Sequence, residues 1–192
     1  MELDPFQMFG AWFEEARLTC QRDHTAMTLA TATKDGIPSA RVVLLKAFDS
    51  RGFSFYTNFD SRKGSELQGN PRAALVFWWS ELRRQVRIEG TVERVDSEEA
   101  DLYFASRPRG SQVGAWASPQ SREIPSREML EQEVAVLTEK FEGQEVPRPG
   151  FWGGFRVVPH TLEFWQDRPD RLHDRDVFQR HGSEWRRARL AP

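Results

Sequence analysis

Arg41-Val42-Val43-Leu44-Leu45-Lys46 sets four branched aliphatics between two cations. So short an apolar run suits a strand covered on both faces better than a helix, and the cations then mark where the strand leaves the core. Side chains alternate along a strand, so Arg41 and Lys46 are expected on opposite faces with Cα atoms about 16 Å apart. Such cations are either solvated strand ends, the usual state of Arg and Lys, or partners of two separate anionic groups. The neighbouring sequence decides between the two.

On the N-terminal side, Ala26 to Thr33 has a strand pattern and Lys34-Asp35-Gly36 is a turn, so a hairpin delivers the chain into a strand over Ala40 to Phe48. On the C-terminal side, the turn Asp49-Ser50-Arg51-Gly52 leads to Phe53–Asn58, where aromatics alternate with small polar residues as in a half-buried strand. Further strands are read over Ala73 to Trp79, Arg84 to Val95, Phe151 to Arg156 and Thr161 to Gln166, with a last hairpin turning at His181-Gly182. The paired Gly153-Gly154 suggests a bulge or close backbone approach. Helices start at Asp4-Pro5, at Ser61, at Asp96 with Glu99 as a capping box, and at Ser126. Pro108 stops the third, and Gly143 to Gly150 is a loop within one domain. About eight strands joined by tight turns, with helices between them, give a mainly β α+β chain. The expected form is an antiparallel barrel with helices packed outside, one domain over residues 1–192.

Composition narrows the function. With 192 residues, the chain can bury a full core without staples. Seven Trp and fourteen Phe against two Tyr point to aromatic packing at a core, interface or ligand site. A net charge of −2 gives no bulk attraction to nucleic acid or acidic membranes, so an anion site has to be built locally. The lone Cys20 excludes an internal disulfide framework and reads as a small apolar filler. No apolar run reaches membrane-span length and no basic n-region stands at the N-terminus, so the cytoplasm is the expected compartment. Glycine-rich dinucleotide, Walker A, His-Glu-x-x-His and Cys-x-x-Cys signatures are all missing from the sequence.

Local cation clusters are nevertheless plentiful: Arg41 with Lys46, Arg62 with Lys63 beside a helix start, Tyr103 with Arg107 and Ser111, and Arg171 with Arg175. Each alone reads equally as a solvated face or a helix-dipole effect. Together, in a slightly acidic chain, they suggest two phosphates. Trp165 could face a planar ring, and Gln85 a ring edge.

Arg41 to Lys46, Tyr56-Thr57, Ser61-Arg62-Lys63, Ser106-Arg107-Pro108-Arg109 leading to Ser111-Gln112-Val113-Gly114-Ala115-Trp116, Phe151-Trp152-Gly153-Gly154, and Phe164-Trp165-Gln166 leading to Arg171-Leu172-His173-Asp174-Arg175 form an ordered set. That set resembles the pyridoxine/pyridoxamine 5′-phosphate oxidase family. The resemblance implies a split β-barrel homodimer with FMN at the subunit interface. It implies oxidation of pyridoxamine or pyridoxine 5′-phosphate to pyridoxal 5′-phosphate, with dioxygen reduced to hydrogen peroxide. It places FMN on Arg41, Val42, Val43, Leu44, Leu45, Lys46, Tyr56, Thr57, Arg62, Lys63, Gln85, Gln120, Ser121, Trp165 and Arg175. Substrate falls to Lys46, Tyr103, Arg107 and Ser111 at its phosphate, and to Arg171, Leu172 and His173 at its ring, with Arg171 and His173 as the catalytic pair. No metal, nucleic acid or membrane partner is implied. Family members commonly carry a longer N-terminal arm that closes over substrate, so the three residues before Asp4 imply a more open site. The competing readings are the related flavin oxidase of phenazine biosynthesis, which needs no substrate-phosphate cradle, and a non-catalytic FMN- or pyridoxal-phosphate-binding protein.

Overall fold

The computed structural model describes residues 4–192; the expectation about an N-terminal arm lies outside them. Asp4 accepts from the Phe6 amide and opens α1 (Pro5–Thr19), which buries Phe9 and Ala16. Next come β1 (Ala26–Ala32), β2 (Pro38–Leu44), β3 (Ala47–Asp49), β4 (Gly52–Asn58), α2 (Arg62–Gly69), β5 (Arg72–Trp79) and β6 (Arg84–Arg94). They are followed by α3 (Ser97–Ser106), α4 (Arg109–Ala117), α5 (Arg127–Lys140), β7 (Trp152–Gln166), β8 (Asp174–His181) and β9 (Glu184–Arg189).

Every strand pairing is antiparallel, in the order β2-β1-β5-β6-β7-β4-β3, with β8 and β9 added beside β7. Leu45 donates its amide to the Thr25 carbonyl and Lys46 to that of Ser54, so two consecutive residues bridge the opposite margins of the sheet and curl it. Phe9 fills the interior, meeting Phe53 and Phe77 edge-on at centroid distances of 4.9 and 5.2 Å. Each such ring taken out of water contributes about 1.5–3 kcal/mol. A second apolar cluster, with Phe104, Val113, Leu137 and Trp152, joins α3, α4 and α5 to the start of β7.

Four expectations need correcting. The stretch at 41–46 is not a strand covered on both faces. β2 lies at the sheet margin, so it buries one face only: Ser39, Arg41 and Val43 turn inward, whereas Val42 is 67% and Leu44 37% exposed. The strand also ends at Leu44, so strict alternation does not carry from Arg41 to Lys46. The segments 151–156 and 161–166 form one strand, because Pro159 sits opposite a register shift at Glu89/Gly90 and so blocks no ladder bond. At Gly90 a Cβ would lie 2.3 Å from the Val158 carbonyl oxygen, so the bulge requires glycine. Pro108 does end α3, but it also stands at the N-cap of α4, a helix absent from the sequence reading. Finally, Asp96 makes no side-chain cap, and Glu99 is drawn instead to Arg156 at 2.7 Å.

Among the described residues, no helix is long and apolar enough to cross a membrane.

Candidate functional site

The start of α2 gathers cations at one end of the sheet. Ser61 caps the helix by accepting from the Gly64 amide, which sends Arg62 and Lys63 outward from its first turn. Inward-facing Arg41 donates to Thr31 Oγ1, to Ser39 Oγ at 2.5 Å and to Glu66 Oε2 at 3.3 Å; Arg62 reaches Glu66 Oε1 at 2.9 Å. Burial alone would raise the Glu66 pKa, but hydrogen bonds from Ser39, Thr31 and Arg62 and the charge of Arg41 outweigh it and leave the carboxyl at about 2. Lys63 has only neutral acceptors, Thr57 Oγ1 at 3.2 Å and Gln120 Oε1 at 3.4 Å. Burial, helped by Arg41, pushes its pKa down. Two arginines thus share one carboxylate while Lys63 meets none among the described residues, and the surplus charge suits an anion at a helix N-terminus.

Gln120 links this cluster to a second one. Its Oε1 also accepts from Thr57 Oγ1 at 2.9 Å, and beside it opens a cavity of about 280 Å³ lined by Asn58, Arg107, Ser111, Ser118, Gln120 and Trp152 among others. Ser111 belongs to the first turn of α4. The Arg107 guanidinium lies 4.6 Å above the Trp152 ring, and its Nη1 is buried without a hydrogen-bond partner. Burial lowers its pKa, yet an arginine stays charged. Leaving such a donor unmet costs about 1–3 kcal/mol, and the same guanidinium forms part of the cavity wall. Tyr56 stacks on Tyr103 at 4.0 Å and on Trp152 at 5.5 Å. Gly154 makes room for this stack, since a Cβ there would lie 2.8 Å from the Tyr56 ring. Burial, with Glu99 nearby, pushes the Tyr56 phenol up to about 12, so it stays neutral. Ser121 adopts a left-handed backbone at φ 69°, next to Gln120.

The remaining expected residues lie elsewhere. Register aligns Trp78, Gln85, Trp165 and Arg175 in one row across β5, β6, β7 and β8. Buried Glu163 holds Arg175 at 2.8 Å and Arg87 at 3.1 Å. The His173 ring packs on Trp165 at 4.5 Å, and Arg171 sits in a left-handed conformation at φ 58° directly after Asp170 at φ 55°. Consecutive left-handed non-glycine residues are strained, and such strain clusters at functional sites. Leu172 is exposed.

The set therefore falls into two groups. Thr57, which meets Lys63 and Gln120, pairs with Gly153 at one end of β7, whereas Trp165 lies twelve residues further on, roughly 40 Å of strand path away. Lys46 is exposed and pairs with no carboxylate among the described residues; no contact joins it to Arg107. Sequence reading missed Glu66, Glu163, Asn58 and Asp167. Glu66 was signalled by its i,i+4 spacing from Arg62, and Glu163 by its place on the same strand face as Trp165.

Comparison with known proteins bears on the whole chain. Residues 13–141 match the family described as pyridoxamine 5′-phosphate oxidase, and residues 152–192 match the pyridoxine 5′-phosphate oxidase C-terminal dimerisation region. A pyridoxine/pyridoxamine 5′-phosphate oxidase of Rubrobacter xylanophilus is 60% identical, covering 98% of this chain and 87% of the relative. One from Synechocystis is 54% identical over 98% and 88%. Among solved structures, PhzG from Burkholderia lata, in complex with tetrahydrophenazine-1-carboxylic acid, superposes with a TM-score of 0.93 at 35% identity, covering 98% and 93%. An FMN-binding protein from Nostoc punctiforme shares the fold at a TM-score of 0.79 and 18% identity. With the N-terminal family region, the dimerisation region and relatives more than half identical along nearly the full chain all agreeing, the chain belongs to the pyridoxamine 5′-phosphate oxidase family.

Proposed function

We propose that this chain is an FMN-dependent oxidase that converts pyridoxamine or pyridoxine 5′-phosphate to pyridoxal 5′-phosphate, reducing dioxygen to hydrogen peroxide, and that it works as a homodimer of one-domain subunits. The observation that carries the reading is Arg107: a half-buried guanidinium whose buried Nη1 has no partner, lining a cavity shared with Ser111 at a helix start. That is the chemistry of a phosphate cradle.

The residues present also fit FMN. Lys63 and Arg62, in excess over Glu66, would hold the flavin phosphate, with Thr57, Gln120 and Ser121 beside them. Gln85, Trp165 and Arg175 would meet the ring system, and Val42 and Leu44 would offer it apolar contact. Arg41 spends its donors within the chain, so its part is to fix Glu66 and to add positive potential at Lys63. Bound FMN supplies the two-electron acceptor that this chain's own side chains lack, and the route by which those electrons pass to dioxygen. The protein's share is positioning and charge: Arg107, Ser111, Tyr103 and Lys46 hold the substrate phosphate, and Arg171 and His173 orient the pyridine ring or exchange a proton with it. The two groups lie at opposite ends of β7 and no hydrogen bond or ion pair joins them among the described residues, which supports a second copy supplying the other half, as does the dimerisation-region match.

The phenazine-type reading is favoured by the 0.93 superposition on PhzG. The Arg107 cavity speaks against it, since a phenazine carboxylic acid has no phosphate to fill it. FMN-loaded protein supplied with pyridoxamine 5′-phosphate in air should yield pyridoxal 5′-phosphate and peroxide in equal amounts. Oxidation of a dihydrophenazine carboxylate without turnover of the phosphorylated vitamer would establish the rival.

A further inference from the structure

We infer that Gln112 is a positioning residue for Arg107, its side-chain amide standing in for the backbone donor that Pro108 removes from the end of α3. The inference rests on the role given to Arg107 above and extends it to a residue of the same motif that the functional reading left without a part.

The corner between two helices is short here: α3 ends at Ser106, Arg107 and Pro108 turn the chain, and α4 begins at Arg109. In an α-helix each carbonyl accepts from the amide four residues on. For Phe104 that residue is Pro108, which has no N–H to give. Phe104 is 1% exposed, so its carbonyl cannot turn to water instead. The next carbonyl, of Ala105, would look to residue 109, which has already entered α4. Gln112 meets both from that second helix. Its Nε2 donates to the Phe104 carbonyl at 3.0 Å and to the Ala105 carbonyl at 3.1 Å, two N–H groups for two oxygens. The Gln112 side chain is itself buried, and its backbone amide donates to the Pro108 carbonyl at 3.1 Å. One residue therefore grips the corner at α3 and at Pro108.

What the grip fixes is Arg107. Its amide donates to the same Phe104 carbonyl at 3.2 Å, and its guanidinium lies 5.5 Å from the Phe104 ring and 4.6 Å from that of Trp152. The two rings meet edge-on at 5.1 Å. Backbone and guanidinium of Arg107 thus both take their place from Phe104, whose carbonyl is held by Gln112. Arg107 and Ser111 line the cavity, whereas Gln112 does not, so any effect of Gln112 on a bound phosphate passes through the corner. With an apolar side chain at position 112 the Phe104 carbonyl keeps only the Arg107 amide, and α4 loses its side-chain hydrogen bonds to α3. The buried acceptor is then under-satisfied, and the corner that aims Arg107 loosens.

Binding can be read without turnover on the FMN-loaded protein, from the change in flavin absorbance on titration with 4-deoxypyridoxine 5′-phosphate, which has no amine or alcohol to oxidise at that carbon, and with its unphosphorylated counterpart. In Gln112→Met the Kd of the phosphorylated ligand should rise about 10- to 100-fold, the cost of a displaced positioning group, while that of the unphosphorylated ligand holds. Gln112→Asn, which keeps the amide on a shorter stem, should fall between the two and replaces Gln112→Met if that variant does not retain FMN. Turnover of pyridoxamine 5′-phosphate should lose in KM rather than in kcat. In an Arg107→Met background the same substitution should add nothing, because it acts through Arg107. An equal loss with both ligands, a full further loss in the Arg107→Met background, or an unmodified protein that does not distinguish the two ligands overturns the inference. Selective loss of the phosphorylated ligand in a chain that never oxidises pyridoxamine 5′-phosphate leaves the positioning intact and overturns the functional reading instead.

Discussion

The two ends of β7 are built on opposite electrostatic plans. At the end near Gly153, cations outnumber carboxylates: Arg41 and Arg62 share Glu66, Lys63 has neutral acceptors, and Arg107 has an unmet donor. At the end near Trp165 the side chains instead have carboxylate partners, Arg87 with Glu89 and Glu163, Arg175 with Glu163, and Arg83 and His173 beside Asp167, while Trp78 remains 55% exposed. The first end is unfinished in charge and the second in apolar cover. A phosphate completes the one and a planar ring or a second chain completes the other, so the difference points to one composite site divided between two copies.

The largest effect that would break this contrast is at Glu66. Glu66→Ala strips the shared carboxylate from Arg41 and Arg62, and removing one partner of an enclosed pair costs about 3–5 kcal/mol. Denaturant unfolding should show that loss, and saturating FMN should recover part of it, because a bound phosphate replaces the missing anion. If FMN recovers nothing, the cations do not face the flavin phosphate. The same carboxyl gives the contrast a pH dependence. Its folded pKa, about 2, lies below the ordinary value of 4.5, so its contribution is present above pH 4.5 and fades as pH falls towards 2.

Arg107→Met comes next. Losing the ionic partner of an enclosed phosphate should cost about 2–4 kcal/mol, roughly 30- to 1,000-fold in kcat/KM for pyridoxamine 5′-phosphate. FMN content should hold, and the melting temperature should change little, since Nη1 has no hydrogen bond to lose and Met keeps an apolar contact with the Trp152 ring in place of the guanidinium. An equal loss on unphosphorylated pyridoxamine would detach Arg107 from the phosphate.

A smaller effect concerns Lys63. Burial lowers its pKa, so it sheds its charge at a lower pH than a free lysine does, and FMN affinity should weaken on the alkaline side before protein stability does. Lys63→Met should abolish that alkaline limb in a flavin fluorescence titration.

How much of this was legible in the sequence differs between the two ends. Strands and turns were readable because Gly36, Gly52 and Gly182 mark positive-φ turns and apolar alternation marks most strands. The covered-strand reading of 41–46 failed because a run of Val and Leu looks alike whether its second face meets the same chain or another molecule. α4 was missed because a proline ends one helix and begins the next with the same ring. The cation clusters could be found as neighbours in sequence, but their counter-charges could not: Glu66 meets Arg41, and Asp167 meets Arg83, only through tertiary pairing. The resemblance to the oxidase family supplied the residue set, and the register of β7 divided it into two groups.

The division between copies is the central claim, and subunit complementation tests it most directly. Arg107→Met damages one end of β7 and His173→Ala the other. If each site draws one end from each chain, a mixed dimer carries one doubly damaged site and one intact site. Random reassortment of the two variants at equal concentration should then restore about a quarter of the unmodified activity on pyridoxamine 5′-phosphate. A mixture of demonstrated heterodimers no more active than its parents would contradict the composite site and return both ends to a single chain.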